Sequence, residues 1–160
     1  MAPPAARSAH NPGRHADMKK LLVPVDGSEC SLRAVRHLVG KGSGAALPGT
    51  VEIHLVNVQP GLPNDITRFV SREQVEGYHR DESAKELAEA RALLDASGAR
   101  YEVHAEVGPL AETIVGLCER LGCDEIVMGA HGRSVLAELL LGSTVTKVIH
   151  LSRVPVLLVK

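Results

Sequence analysis

Apolar residues recur along this chain in two rhythms, short continuous runs and helix-spaced stripes, and the two alternate from Lys20 to the end. The first run, Leu21-Leu22-Val23-Pro24-Val25, stops at Asp26-Gly27-Ser28, so it reads as a strand, then a turn and a helix start. Pro24 lacks a ladder donor, which a central strand tolerates where its ladder is about to stop, as here. Positions 28–39 carry Leu32, Val35, Leu38 and Val39 on one helical face, and the glycines of 40–44 break that helix. Dense β-branched residues predict a second strand over 51–58, followed by a loop with Pro60, Gly61 and Pro63.

A long polar helix is predicted over 71–96, burying Val75, Tyr78, Ala84, Leu87 and Leu94. The stretch 100–107 alternates, with Tyr101, Val103, Ala105 and Val107 inward and Arg100, Glu102, His104 and Glu106 outward. One solvated face places this third strand at a sheet edge. Gly108-Pro109 opens the next helix, with Leu110, Ile114, Leu117, Cys118 and Leu121 as its stripe and Gly122 as its stop. A fourth strand over 125–128, a helix over 143–151 and a closing apolar strand over 154–159 complete the pattern.

Five strands separated by helices imply an α/β domain, a parallel sheet with right-handed crossovers and helices on both faces, and the strand order expected for it is 3-2-1-4-5. Ligands of such sheets bind beyond the carboxyl ends of the strands, where the strand order reverses. That order sets strands 1 and 4 side by side, so Asp26-Gly27-Ser28 and Gly129 to Gly132 converge on one crevice. The chemistry nominated there is anion binding. Gly129-Ala130-His131-Gly132 is followed after nine residues by Gly142-Ser143-Thr144. The glycines admit close approach of a ligand to the backbone, and Ser143-Thr144 opens a helix whose free N–H groups attract an anion.

Composition narrows the rest. At 160 residues and 44% apolar content, the chain is long enough for one cored domain. A net charge of −1 excludes a nucleic-acid binder that works by neutralising phosphates, and three aromatics (Phe69, Tyr78, Tyr101) leave no base-stacking platform. No long apolar span points to a membrane. Cys30, Cys118 and Cys123 are odd in number and lack metal-site spacing, which favours a reducing, cytoplasmic setting. Residues 1–18, rich in Pro, Ala and Arg, read as a disordered leader before a domain at 19–160, with Met18 as an alternative start.

From Lys19 to Lys160 the chain resembles the universal stress protein family. The family's nucleotide signature is Gly, two residues, Gly, nine residues, Gly and Ser or Thr; it stands here as Gly129, Gly132, Gly142 and Ser143 without insertion. The opening Val23-Pro24-Val25-Asp26-Gly27-Ser28 and the closing Val154-Pro155-Val156-Leu157-Leu158-Val159 match as well. The resemblance implies a Rossmann-like, adenine nucleotide alpha hydrolase-like fold and the ATP-binding branch of the family. It assigns Asp26 to the adenosine part, Pro24 and Val25 to the pocket wall, and Val56 to the adenine through its backbone. Met128 and Gly129 would pack by the ribose. Gly132, Arg133, Gly142, Ser143 and Thr144 would hold the phosphates, with side-chain donors from His131 and Arg133. The cofactor implied is ATP, with Mg²⁺ or Mn²⁺, and occupancy would order 133–141 and bias binding of a regulatory protein partner. The resemblance also implies a homodimer through the last strand (Val154, Val156, Leu158), whose bare apolar edge needs a partner or a block.

Other residues take blander readings. Asp26 and Ser28 suit helix capping, Cys118 a core position, and Cys30 a structural place near a helix start. Glu82, Lys85, Glu86 and Glu89 read as a solvated face with local ion pairs. The eight histidines show no metal-ligand spacing, so His54 and His104 read as ordinary positions and no metal site is expected. No Gly-x-x-x-x-Gly-Lys-Ser/Thr loop, Gly-x-Ser-x-Gly elbow or Cys-x-x-Cys pair occurs, and no water-orienting carboxylate stands beside the cradle. The chain is therefore expected to be no enzyme, or at most a slow ATPase, and its alternative is an interaction module of the same fold that works without nucleotide.

Overall fold

The computed structural model describes residues 18–40, 51–132 and 141–160. The leader positions 1–17, the glycine break at 41–44, Arg133 and most of the 133–141 loop lie outside the described residues.

The chain forms β1 (Lys19–Pro24), α1 (Glu29–Val39), β2 (Val51–Gln59), α2 (Asn64–Thr67), α3 (Arg72–Ser97), β3 (Tyr101–Val107), α4 (Leu110–Leu121), β4 (Glu125–Gly129), α5 (Ser143–Leu151) and β5 (Val156–Val159). The five strands are all parallel in the order β3-β2-β1-β4-β5, the order expected. The sequence pattern missed α2, a single turn in what reads as a Pro-Gly loop. It also began the last strand early, since Val154 and Pro155 precede β5.

Alternation along the central strands divides the core into two layers. Leu21, Val23, Val25, Ile53, Leu55 and Val127 meet Leu32, Val35 and Leu38 of α1 and Leu87, Ala90 and Leu94 of α3. Leu22, Val56, Val58, Ile126 and Met128 meet Ile114, Leu117 and Cys118 of α4 and Val145 and Val148 of α5. Both faces of β1, β2 and β4 are thus covered, which is why their sequences are continuous apolar runs. Pro24 ends β1 opposite Val56, and the ladder is handed on when Val25 N–H donates to the Val56 carbonyl at 2.8 Å.

Two expectations about burial need correction. On α3 the inward residues are His79, Ser83, Glu86, Leu87, Ala90 and Leu94, whereas Tyr78 is 50% exposed, Ala84 is exposed and Val75 is half-buried. The stripe keeps i, i+3, i+4 spacing, but its first half is polar, so a search for apolar residues finds the wrong face. On the edge strand β3, Val103, Ala105 and Val107 are exposed and His104 and Glu106 are half-buried, the reverse of the expected alternation. Tyr101 alone is packed against the α1/α3 layer, its hydroxyl donating to Asp95 Oδ1 at 2.6 Å. Beyond it the long helix no longer covers the outer strand, while α4 reaches the opposite face through Arg120 and Glu106. Leu110, expected in the α4 stripe, is 38% exposed and instead borders a cavity at the carboxyl ends of the strands.

Capping closes the helices as their sequences suggest. Ser28 Oγ accepts from Ser31 N–H at 3.2 Å, and Ser71 and Gln74 form a reciprocal capping box. Gly98 and Gly122 end α3 and α4 in the left-handed conformation. The tightest backbone approach is at Gly129, where a Cβ would lie 2.6 Å from the Cys30 carbonyl oxygen. Because backbone must yield there, Gly129→Ala is expected to cost about 1–3 kcal/mol. A lowered urea midpoint at unchanged m value reads that cost; an unchanged midpoint would show that the approach is slack.

Candidate functional site

The ladder between β1 and β4 pairs Leu21 with Glu125 and Leu22 with Ile126. Above it the two strands lead to opposite faces, β1 into α1 and β4 towards α5. Between them opens a cavity of about 370 Å³ at the carboxyl ends of the strands, where a doubly wound sheet is expected to hold its ligand.

Its walls come from both halves of the sequence. Pro24, Val25 and Asp26 line it from the end of β1, Val56 from β2, and Met128, Gly129, His131 and Gly132 from the end of β4. Gly142, Ser143 and Thr144 line it from the start of α5. Every sequence-nominated residue within the described residues therefore borders one cavity. Val56 does so while its side chain is fully buried and its carbonyl accepts from Val25.

Asp26 is held in a small turn. Its Oδ1 accepts from Ser28 N–H at 3.0 Å, and its own N–H donates to Ser31 Oγ at 3.4 Å. Its other oxygen faces Gly132, where a Cβ would stand 3.3 Å away. Capping and cavity lining are thus shared by one carboxylate. On the opposite wall, Gly142 N–H donates to the Ala130 carbonyl at 3.1 Å, which fixes the start of α5 beside the end of β4. A Cβ on Gly142 would lie 3.5 Å from Gly132 N, so the two glycines face each other across the cradle. Gly142 as N-cap supplies no side-chain cap to α5, and the N-terminal N–H groups of that helix open on the cavity mouth.

The structure adds a polar wall that the sequence reading missed. Glu86, taken for a solvated residue, is buried and lines the cavity from α3, as does Gln59 from the end of β2. Asn57, fully buried, links them: its Nδ2 donates to Glu86 Oε2 at 2.7 Å and to the Val25 carbonyl at 2.8 Å, while its Oδ1 accepts from Gln59 Nε2 at 2.9 Å. The cavity therefore has two carboxylates, Asp26 and Glu86, where none was expected to orient water. A signal existed in the sequence. Asn57 and Gln59 are polar residues at alternate positions of the apolar second half of β2, beside Leu55, Val56 and Val58, and such buried positions need a partner.

All three cysteines are free and buried. Cys118 and Cys123 are buried, and burial pushes both thiols up, that of Cys123 to about 12. Cys30 is buried under the cradle, with Sγ 3.4 Å from His131 N–H, which donates to it. His54 and His104 also need correction. His54 is 2% exposed, and the sheet brings its ring against His104, with Glu102 beside both. A side-chain group with metal-ligand composition thus exists among the described residues, although sequence spacing indicated none.

With fold and site in view, comparison with known proteins defines the class. The model of the universal stress protein family matches residues 18–160, and the chain belongs to that family. Universal stress protein MJ0531 of Methanocaldococcus jannaschii is 32% identical over 146 residues, spanning 89% of this chain and 82% of that protein. The solved structure of MJ0577 from the same organism superposes with a TM-score of 0.76 at 30% identity, over 89% of this chain and 96% of its own. A universal stress protein crystallised in complex with cAMP gives a TM-score of 0.63 at 25% identity, over 89% and 97%. Among the described residues no helix is long and apolar enough to cross a membrane.

The polar wall makes a stability prediction. Asn57→Ala withdraws one donor from Glu86 and Val25 together and is expected to cost about 1–3 kcal/mol. Asn57→Asp is the sharper test, because two carboxylates would then face each other, and its deficit should shrink at acid pH as one is protonated. Urea unfolding of both variants at neutral and acid pH measures this; equal deficits at both pH values would break the argument.

Proposed function

We propose that this chain is a stress-response protein that binds ATP, accompanied by Mg²⁺ or Mn²⁺, in the cavity between β1 and β4. Nucleotide occupancy biases association of its homodimer or of a regulatory protein partner. The observation that carries this reading is the convergence of Asp26, Gly132, Gly142 and Ser143 on a single cavity from opposite sides of the strand-order reversal. A family relative crystallised with cAMP supports an adenine nucleotide as the ligand class.

The two walls divide the work. Gly132, Ser143 and Thr144 offer backbone N–H groups, hydroxyls and a helix N-terminus to the phosphates, and Gly142, whose own N–H is held by the Ala130 carbonyl, lets them approach closely, with His131 and Arg133 as further donors. Asp26, with Pro24, Val25 and Val56 around it, receives the adenosine end, and Met128 and Gly129 pack by the ribose. A Mg²⁺ held chiefly by the phosphates asks for few protein ligands. Hydrolysis is expected to be slow: Glu86 is engaged with Asn57 on the β2 side, and Asp26 accepts from Ser28. The dimer forms through the backbone edge of β5, since Val154, Val156 and Leu158 pack against the α4/α5 layer. A cytoplasmic setting accords with three buried cysteines that form no disulfide.

Calorimetric titration of Mg²⁺-ATP into nucleotide-stripped protein tests the reading, with Gly142→Val as control. The backbone of Gly142 (φ −60°, ψ 150°) suits valine, and its Cβ meets nothing closer than 3.5 Å, so the variant should fold. Binding at about micromolar Kd, lost in the variant, is the expected result. Absence of binding to the native protein would favour the interaction module that works without nucleotide. Phosphate release should stay below about one turnover per minute; faster release would make the protein an enzyme.

A further inference from the structure

A second cluster of chemistry lies on β2 and β3, and none of its residues lines the nucleotide cavity. In the parallel register of these strands, His54 stands opposite Glu102, and His104 follows two residues further on the same face. His54 Nδ1 lies 3.1 Å from His104 Nε2 and 3.7 Å from Glu102 Oε2, and one ligand atom from each residue falls within 4.8 Å of the others. We propose that His54, His104 and Glu102 form a binding site for a divalent transition-metal ion of the zinc class.

The donor set suits that class. Two imidazoles and a carboxylate, with a further position open to water, are ligands that Zn²⁺ takes at 2.0–2.2 Å. The nitrogens of a tetrahedral site with such bonds stand about 3.3 Å apart, so the ring nitrogens need move only a few tenths of an ångström. Burial sets the protonation required: it is the main cause holding the His54 imidazole below its ordinary range, and a neutral ring keeps a lone pair for a metal.

The far side of His54 is equally apt. Its Nε2 is 3.2 Å from Glu52 Oε1, yet this buried nitrogen makes no hydrogen bond in the present ring orientation. Metal-ligating histidines commonly donate their other N–H to a carboxylate, which fixes the tautomer. A small rotation of the His54 ring that brought Nδ1 onto a metal could also align Nε2–H with Glu52. Charge favours the cation too. Glu52 and Glu102 outweigh the single Lys20, whose ammonium is directed to the Leu121 carbonyl at 3.5 Å. The half-exposed edge position of His104 and the exposed Glu102 give an ion its path in, whereas His54 anchors the site from within.

Bound there, the ion would clip the edge strand β3 to β2 and stabilise the folded chain over the unfolded one. The probe is Co²⁺, titrated into the EDTA-treated, reduced full-length chain and followed by its visible d–d absorption, with Zn²⁺ added in competition. His54→Ala would risk the core, so the variants are His104→Gln and Glu102→Gln, both at the open edge. A double variant, His10→Gln with His15→Gln, controls for the leader. The expected result is one Co²⁺ per chain, displaced by Zn²⁺, with a raised Tm. Affinity should fall at least about tenfold in His104→Gln and also fall in Glu102→Gln, and remain unchanged in the leader variant. The metal-free Tm of the edge variants should match that of the parent. Affinity unaltered in His104→Gln, sulfur-to-cobalt charge-transfer bands, or no binding at about 1 mM Co²⁺ would each overturn the proposal.

Discussion

The close approach of β4 to the first turn of α1 is the constraint on which the rest of the molecule turns. Gly129 sits where any side chain would strike the Cys30 carbonyl. Around that contact, Cys30 Sγ receives the His131 N–H, and Ala130 N–H donates to the Val159 carbonyl at 2.9 Å. Three elements distant in sequence, α1, β4 and β5, are thereby fastened at one height of the sheet. With β4 pressed against α1, Gly132 faces Asp26 and Gly142 stands beside Gly132. All three glycines border the cavity, but the one at 129 also serves packing against α1, so one spacing pattern combines two distinct physical demands.

The fold was legible because its strands are buried on both faces, and a run such as Ile126-Val127-Met128 has few other uses. The expected strand order was the one that sets the two turn signals after β1 and β4 side by side, and the sheet has that order. Legibility failed where apolarity stopped being a guide to burial. Glu86 looks like its neighbours Lys85 and Glu89, and nothing local separates them; Asn57, some thirty positions earlier, makes the difference by offering a donor at 2.7 Å. His54 and His104 are likewise fifty residues apart and meet through strand register. Sequence spacing reports ligand pairs on one helix or loop, but not pairs made by neighbouring parallel strands.

The cavity is chemically lopsided, and the sheet explains why. Its β4 side is backbone and glycine, ending at the uncapped first turn of α5. Its β2 side is a chain of amides leading to a buried carboxylate. A ligand with a polyanionic end and a heteroaromatic, hydrogen-bonding end matches that asymmetry, whereas a simple anion would leave the amide wall unused. Buried amide groups cost free energy unless satisfied. Here Asn57 serves Val25, Glu86 and Gln59 at once, so the wall is built before any ligand arrives.

The two sheet edges meet the same hazard with different chemistry. β3 carries Glu102, His104 and Glu106 along seven residues, and charge deters strand addition there. β5 has four apolar residues, preceded by Pro155, and its edge bears no charged side chain until Lys160. Because Val156 and Leu158 pack on the α4/α5 layer and Val159 on the α1/α3 layer, what β5 still offers is its backbone and the exposed Leu157. Backbone pairing is short and directional, so the proposed dimer would be set by the Val156–Val159 ladder rather than by a broad apolar patch. The same strand ends at Val159, whose carbonyl accepts from Ala130 beside the cradle. That bond ties the end of β5 to the β4 turn bordering the cavity.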